Sequence, residues 1–323
     1  MHKNSEASMN SGIPGGFQLA IHLKGEWPES SLDSLKELCG SGFSFSSGDL
    51  THVQCCQVLV SGLVTGEDIE KCPGLQTVLV PYAGIPESTG KALSEYPEIK
   101  LESIHHNAAA TAEMAVALML AASKLLIPAD RALRSSDWSP RYRPDGLIIE
   151  DSRVLVLGAG AIGRRVMRIC EAMGASVAGI RKNETPGFHT AAQLPVLLPE
   201  TDILIVCLPL NEDTRGIIGR SQLEQLPRGA VLVNVARGPV IDEEALFDSL
   251  SSGHLAAAGI DVWYSYPSSV DSRSNTAPSR FDFGALPNVV MSPHRGGAFG
   301  LEGIERRRIH HLACALRKLS GKV

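Results

Sequence analysis

Short apolar runs alternate along the chain with segments of helical periodicity, and that alternation predicts a parallel α/β architecture. Phe17–Leu23, Gln57–Ser61 and Thr77–Val80 read as early strands. A long helix follows, with Met114, Leu118, Ala121 and Leu125 at i, i+4, i+7, i+11 spacing. The stretch from Arg134 to Gly146, rich in Arg, Ser, Pro and Trp, reads as a connection leaving a first domain. A second series opens at Arg153. Val154–Leu157 reads as a buried strand, and Ile162, Val166, Ile169 and Met173 line one face of the next helix. Val177–Ile180, Ile203–Cys207, Val231–Val235 and Ala257–Asp261 repeat the strand pattern. A last helix, Leu301–Leu319, carries Ile309, Leu312, Leu316 and Leu319 on one stripe, and Asp271–Pro278 reads as a surface loop.

Composition narrows the function classes. A chain of 323 residues has room for two domains, and 44% hydrophobic with 20% charged residues is ordinary globular usage. The net charge of −5 gives no general attraction to nucleic acid or to an anionic membrane, and Arg306-Arg307-Arg308 reads as a solvated helix face. Met1–Gly16 lacks the apolar centre of a signal peptide and is expected to fray. Ala112–Leu126 is interrupted by Glu113 and Lys124, so no membrane span is expected. The seven cysteines (Cys39, Cys55, Cys56, Cys72, Cys170, Cys207, Cys314) are scattered and form no C-x-x-C pair. They predict neither a disulfide framework nor a metal site, and the expected compartment is the reducing cytoplasm. Cys207, inside an apolar run, reads as core rather than as a catalytic thiol.

The first chemical signal is Gly158-Ala159-Gly160-Ala161-Ile162-Gly163, directly after a strand and opening a helix. Gly158 permits the tight turn, Gly160 lets backbone approach a pyrophosphate, and Gly163 allows close helix–strand packing. The helix N-terminus offers free N–H groups and a positive dipole end to the phosphates. A carboxylate about 20 residues on would select NAD through the ribose 2′-hydroxyl. Here the second strand ends at Ile180 and is followed by Arg181 and Lys182, cations that attract a 2′-phosphate. NADP(H) is favoured over NAD(H), while Arg181 stacked on adenine or facing solvent stays open.

Three later segments carry a family resemblance: Asn234-Val235-Ala236-Arg237-Gly238, Gly259-Ile260-Asp261-Val262-Trp263 and Ser292-Pro293-His294-Arg295-Gly296-Gly297. Together with the glycine loop and Cys207-Leu208-Pro209-Leu210-Asn211 through Thr214-Arg215-Gly216, they resemble the D-isomer-specific 2-hydroxyacid dehydrogenases, from about Val78 to His294. The resemblance implies two Rossmann-like or flavodoxin-like parallel-sheet domains with the active site in the cleft between them. Residues 1–123, completed by 293–323, would form the substrate domain, and 124–292 the dinucleotide-binding domain. It implies that Arg237 binds the substrate carboxylate, work suited to a planar, permanently charged fork. It implies that His294 is the general acid/base, a role its near-neutral pKa suits. Asp261 would hold the nicotinamide carboxamide. The loop Tyr82-Ala83-Gly84-Ile85 would bind substrate carboxylate through backbone N–H groups, with Asn107 nearby. Cofactor contacts would fall at Thr111, Gly158, Gly160, Ala161, Ile162, Gly163, Leu208, Pro209, Thr214, Val235 and Ala236. Trp138 resembles an aromatic that reaches the partner subunit's site in a homodimer; packing on its own domain is the alternative. Arg141, Tyr142 and Arg143 stand either as a second anion contact or as a solvated loop.

One position departs from the family pattern. Five residues after Asp261 the family has a Glu hydrogen-bonded to the catalytic His; here Tyr266 stands there, followed by Pro267. A carboxylate would raise the pKa of His294, whereas a neutral tyrosine can only orient the ring. Either the neutral partner suits a different substrate, or Asp271 or Asp282 arrives from the following loop. Formate dehydrogenases also lack that Glu, and Asp261-Val262-Trp263-Tyr264 resembles them locally. Three readings follow: a dehydrogenase of a small anionic 2-oxo or 2-hydroxy acid, a dehydrogenase of another small anion such as formate, and a dinucleotide-binding regulator resembling the C-terminal binding protein corepressors.

Overall fold

The computed structural model describes residues 19–50, 56–143 and 145–321. The tail Met1–Gly16, the first two residues of the strand expected at Phe17 and the cysteine Cys55 lie outside the described residues.

Two compact units form. The first takes the chain up to Pro81, Ser88–Ile104 and the segment from Ile309 onward. Its elements are β1 (Leu19–Lys24), α1 (Glu29–Cys39), β2 (Phe43–Gly48), β3 (Val58–Val60), α2 (Gly66–Glu70), β4 (Thr77–Val80), α3 (Glu87–Leu93) and β5 (Lys100–Ser103). The five strands make one parallel sheet in the order β2-β1-β3-β4-β5. β3 and β4 are buried at every position because a central parallel strand is covered on both faces. The edge strands β2 and β5 were not expected. FSFSSG and KLES carry too few apolar residues to register as strands, since an edge strand has a single neighbour and stays partly exposed.

The second unit takes Tyr82–Glu87 and His105–Arg308. It contains α4 (Ala108–Ser123), α5 (Leu126–Arg134), β6 (Arg153–Leu157), α6 (Gly163–Ala172), β7 (Ser176–Ile180), α7 (Leu194–Leu197), β8 (Ile203–Val206), α8 (Arg220–Gln225), β9 (Val231–Asn234), α9 (Glu243–Ser251), β10 (Ala257–Ile260) and β11 (Val289–Met291). A final helix, α10 (Glu302–Leu319), starts in this unit and ends in the first, where Ile309, Leu312, Ala313 and Leu316 join the core. The six strands form a parallel sheet ordered β11-β10-β9-β8-β6-β7, and an isolated parallel bridge from Ile180 to His189 extends its β7 edge. Counting that bridge as a rudimentary strand gives the order 3-2-1-4-5-6-7, which is the 3-2-1-4-5-6 order of dinucleotide-binding sheets with one further strand, β11, at the far edge; the switch point lies between β6 and β8.

The expected helix forms as α4, with Met114, Leu118 and Ala121 inside it and Leu125 just beyond its end. It ends at Ser123, Leu125 adopts a left-handed conformation (φ 47°), and α5 leaves at 62°. Among the described residues no single helix is long and apolar enough to cross a membrane; α4 is instead packed under the second sheet, against β9 and β10. Cys39, Cys56, Cys72, Cys170, Cys207 and Cys314 are free thiols. Cys207 packs against the core around Ile203 and Ile205, and burial raises its thiol pKa.

Candidate active site

The glycine loop lies at the switch point. Gly158 has φ 106°, and a Cβ there would come within 2.8 Å of the Cys207 carbonyl carbon. A Cβ at Gly163 would run into the Gly158 carbonyl oxygen, which keeps α6 pressed against β6. At Gly160 the space is open. Ala161 and Ile162, the residue before the first turn of α6, flank that space and are partly exposed. This cradle, at the N-terminus of a ten-residue helix, fits a pyrophosphate: close packing on one side, room and free N–H groups on the other.

Past the end of β7, the Arg181 guanidinium lies 5.5 Å from the Phe188 ring centroid, a cation–π contact that presets its direction. Lys182 pairs at 3.4 Å with Asp213, both well exposed. In the loop after β8, which begins Leu208-Pro209, the Thr214 hydroxyl donates to the Pro209 carbonyl at 2.7 Å, and the Thr214 N–H donates to Asn211 Oδ1 at 3.0 Å. The Thr111 hydroxyl is buried and donates to the Asn107 carbonyl one turn back on α4. Val235 and Ala236 are buried directly after β9.

Arg237 follows them. Asn234 fixes the turn, its Nδ2 donating to the Arg237 carbonyl at 3.2 Å and its Oδ1 accepting from Ala236 N–H at 3.0 Å. The guanidinium donates to the Ala236 carbonyl at 2.7 Å and faces Gly84, where a Cβ would come within 2.8 Å of Nη2. Gly84 (φ 82°) belongs to the loop of Tyr82 and Ala83, which is thereby set against Arg237. Burial raises the Tyr82 phenol pKa, and the Arg237 charge opposes that rise. The Tyr82 ring meets Phe299 edge-on, centroids 6.4 Å apart. Asn107 is 6% exposed; its Nδ2 faces Gly297, and its Oδ1 has no hydrogen-bond partner among the described residues.

His294 has φ 57°, a left-handed backbone rare for a residue with a side chain. The loop that holds it is clamped by Asp261, 1% exposed at the end of β10. Asp261 Oδ1 accepts from the Ser292 hydroxyl at 2.5 Å and from Arg295 N–H at 2.8 Å, and Oδ2 accepts from Gly296 N–H at 2.8 Å. The Trp263 indole adds a bond to the Ser292 carbonyl at 2.8 Å. Solvent reaches His294, but crowding by surrounding protein, and then the Arg237 charge, hold its imidazole below the ordinary 6.5, while Asp261 pulls it upward.

Tyr266 stands beside that imidazole, ring centroids 5.5 Å apart and tilted by 54°. Its hydroxyl accepts the Trp263 backbone N–H at 3.0 Å, so Tyr266 meets His294 with its ring. Neither alternative carboxylate reaches the histidine. Asp282 caps a short turn by accepting from Ala285 N–H, and Asp271 sits in an exposed turn. The carboxylate that acts on His294 is Asp261.

Arg237, His294, Asp261, Tyr266, Tyr82, Gly84 and Asn107 are thus gathered in the second unit from segments scattered between residues 82 and 294. The segment from Trp138 to Arg143 is not gathered with them. Trp138 is 60% exposed rather than packed on its own domain, and Arg141 lies over the neighbouring Tyr142 ring. Sequence reasoning quoted Asn234, Trp263 and Ser292 within motifs without finding their hydrogen-bonding roles, and it passed over Phe299 and Glu87. Glu87 accepts from the Arg215 guanidinium at 2.6 Å. The Asn234 bonds are local to the turn after β9, whereas those of Trp263, Ser292, Phe299 and Glu87 join residues set in place by different strands, which no spacing rule signals.

The model of the D-isomer specific 2-hydroxyacid dehydrogenase NAD binding domain matches residues 116–296. Glyoxylate reductase from Korarchaeum cryptofilum is 30% identical over 267 residues, 77% of this chain and 76% of that protein. D-3-phosphoglycerate dehydrogenase from Methanocaldococcus jannaschii is 30% identical over 241 residues, 73% of this chain but 44% of that protein, so this chain spans less than half of that relative's length. Among solved structures, a D-isomer specific 2-hydroxyacid dehydrogenase from Xanthobacter autotrophicus in complex with NADPH and MES superposes with a TM-score of 0.75 at 24% identity, covering 93% of this chain and 95% of that one.

Proposed function

The chain belongs to the D-isomer-specific 2-hydroxyacid dehydrogenase family, and on that premise we propose that it interconverts a small 2-oxo acid and its D-2-hydroxy acid. One observation carries the reading: Arg237 and His294, from loops that follow different strands, lie within each other's electrostatic reach, with the Gly84 backbone against the guanidinium. A bound nicotinamide supplies or accepts the hydride at C2. Arg237 binds the substrate carboxylate and polarises the carbonyl. In reduction, a ring nitrogen of His294 gives its proton to the carbonyl oxygen as C2 is reduced; in oxidation the neutral ring takes that proton back. Tyr266 positions the ring by packing. The buried Oδ1 of Asn107 awaits a donor on a bound ligand.

NADP(H) is the preferred cofactor in this reading. Arg181 occupies the place where a carboxylate would repel a 2′-phosphate, and its stacking on Phe188 directs it before any ligand arrives. Two copies pair through the arm after α4. α5 buries none of its own residues, and Leu126, Leu133, Trp138, Tyr142 and Ile148 are all exposed there.

The test follows reduced-cofactor absorbance with NADH and NADPH against a panel of 2-oxo acids and, in the other direction, against 2-hydroxy acids and formate. Arg237→Ala and His294→Ala are each expected to lose on the order of 10²–10⁴ in rate, with cofactor binding retained by fluorescence titration. Oxidation of formate alone would replace this reading with the formate type. Cofactor binding without any turnover would replace it with the regulator.

A further inference from the structure

Resting on hydride transfer at this site, we propose that the substrate carries an apolar substituent at C3, branched or aromatic, received by Tyr82 and Phe299. Both residues flank the catalytic groups. Tyr82 lies two residues before Gly84, which touches Arg237, and its phenol senses the Arg237 charge. Phe299 lies five residues after His294, its ring against Gly297 and edge-on to Tyr82. A substrate held by its carboxylate on Arg237 therefore has Tyr82 beside it and Phe299 one ring further on.

The Phe299 side of this pair is uncovered. Phe299 is 61% exposed and Leu301 60%, and large apolar side chains left open next to polar catalytic groups mark a surface that binds apolar matter. Glyoxylate, which has no C3, would leave them in water. A substrate of phenylpyruvate size would cover them.

The charges point the same way. Arg237 is the cation set against the Tyr82–Gly84 loop, and its charge acts on Tyr82, Tyr266 and His294. A phosphorylated or dicarboxylic substrate would bring a second anion, and Arg237 is already committed to the first.

The experiment compares kcat/KM for phenylpyruvate and 4-methyl-2-oxopentanoate with kcat/KM for glyoxylate and 3-phosphohydroxypyruvate, in the full chain and in Phe299→Ala and Phe299→Leu. The full chain is expected to favour the apolar acids by about tenfold or more. Phe299→Ala should cost the apolar acids about tenfold more than it costs glyoxylate. Phe299→Leu, which keeps the volume apolar and guards against a folding defect, should retain 4-methyl-2-oxopentanoate better than phenylpyruvate. Equal or better turnover of glyoxylate or 3-phosphohydroxypyruvate would overturn the apolar assignment while leaving hydride transfer intact. An unchanged apolar-to-glyoxylate ratio in both variants would remove Phe299 from it. No turnover of any acid overturns the hydride-transfer reading and this inference with it.

Discussion

Asp261 and Gly296 meet so closely that residue 296 has no room for a side chain. The Gly296 N–H donates to Asp261 Oδ2 at 2.8 Å, and a Cβ on Gly296 would come within 2.6 Å of the same oxygen. The acceptor is fixed in turn, because Asp261 Oδ1 is held by Ser292 and by Arg295 N–H. His294 sits inside this clamp, so its left-handed backbone is imposed by bonds on both sides of it.

Gly296→Ala is therefore expected to shift the loop rather than merely crowd it. Overpacking of this kind costs about 1–3 kcal/mol of stability. Misplacing the acid by about 1 Å costs on the order of 10²-fold in rate. Thermal unfolding together with single-turnover kinetics checks both; wild-type kcat at a lowered Tm would show that the clamp does not position His294.

The environment of His294 sets the pH dependence. Crowding by surrounding protein and the Arg237 charge lower its pKa below 6.5 in the free protein. Reduction needs the imidazolium, so kcat/KM for the 2-oxo acid should fall as pH rises through that lowered value, and oxidation should rise over the same range. Tyr266→Glu places a carboxylate beside the ring, favours the charged form and should move both limbs upward by about one unit or more. A wild-type limb already above about pH 7.5, or one unmoved by Tyr266→Glu, would contradict the assignment of His294 as the acid.

Glu87 and Arg215 join the end of the Tyr82–Gly84 loop to the loop that carries Thr214, 128 residues away in sequence and 2.6 Å in space. The pair is exposed on both sides, so it is worth at most about 1 kcal/mol. Glu87→Gln should raise KM for the oxo acid about two- to fivefold with kcat preserved. High salt should erase the difference between variant and wild type. The swap Glu87→Arg with Arg215→Glu should recover part of the loss; a KM unaffected by all three would mean that the pair does not hold the substrate loop.

The features legible in the chain are those that a strand or turn imposes on its own residues. Val154–Leu157, Ile203–Val206 and Val231–Asn234 announce themselves because a parallel strand buried on both faces must be almost wholly apolar. The glycine loop is legible for a related reason: Gly158 takes φ 106° in the turn and Gly163 packs on the Gly158 carbonyl, although the wall that Gly158 also avoids comes from Cys207 after another strand. Edge strands such as Lys100–Ser103 leave no comparable trace, because half their surroundings are solvent. The bend at Leu125 is hidden too, since nothing in the local apolar spacing marks a left-handed leucine.

By itself, then, the sequence determined the parallel α/β class and the dinucleotide loop, and its family resemblance singled out Arg237, Asp261 and His294 as candidates. The tertiary structure alone decided how those residues act on one another. It made Asp261 the clamp of the histidine loop, gave the Tyr266 hydroxyl to Trp263 and set Tyr82 against Phe299. The clamp and the Tyr82–Phe299 contact depend on where the intervening chain returns, and the Tyr266–Trp263 bond on the path of the short turn between them; hydrophobic periodicity records burial but none of these distances.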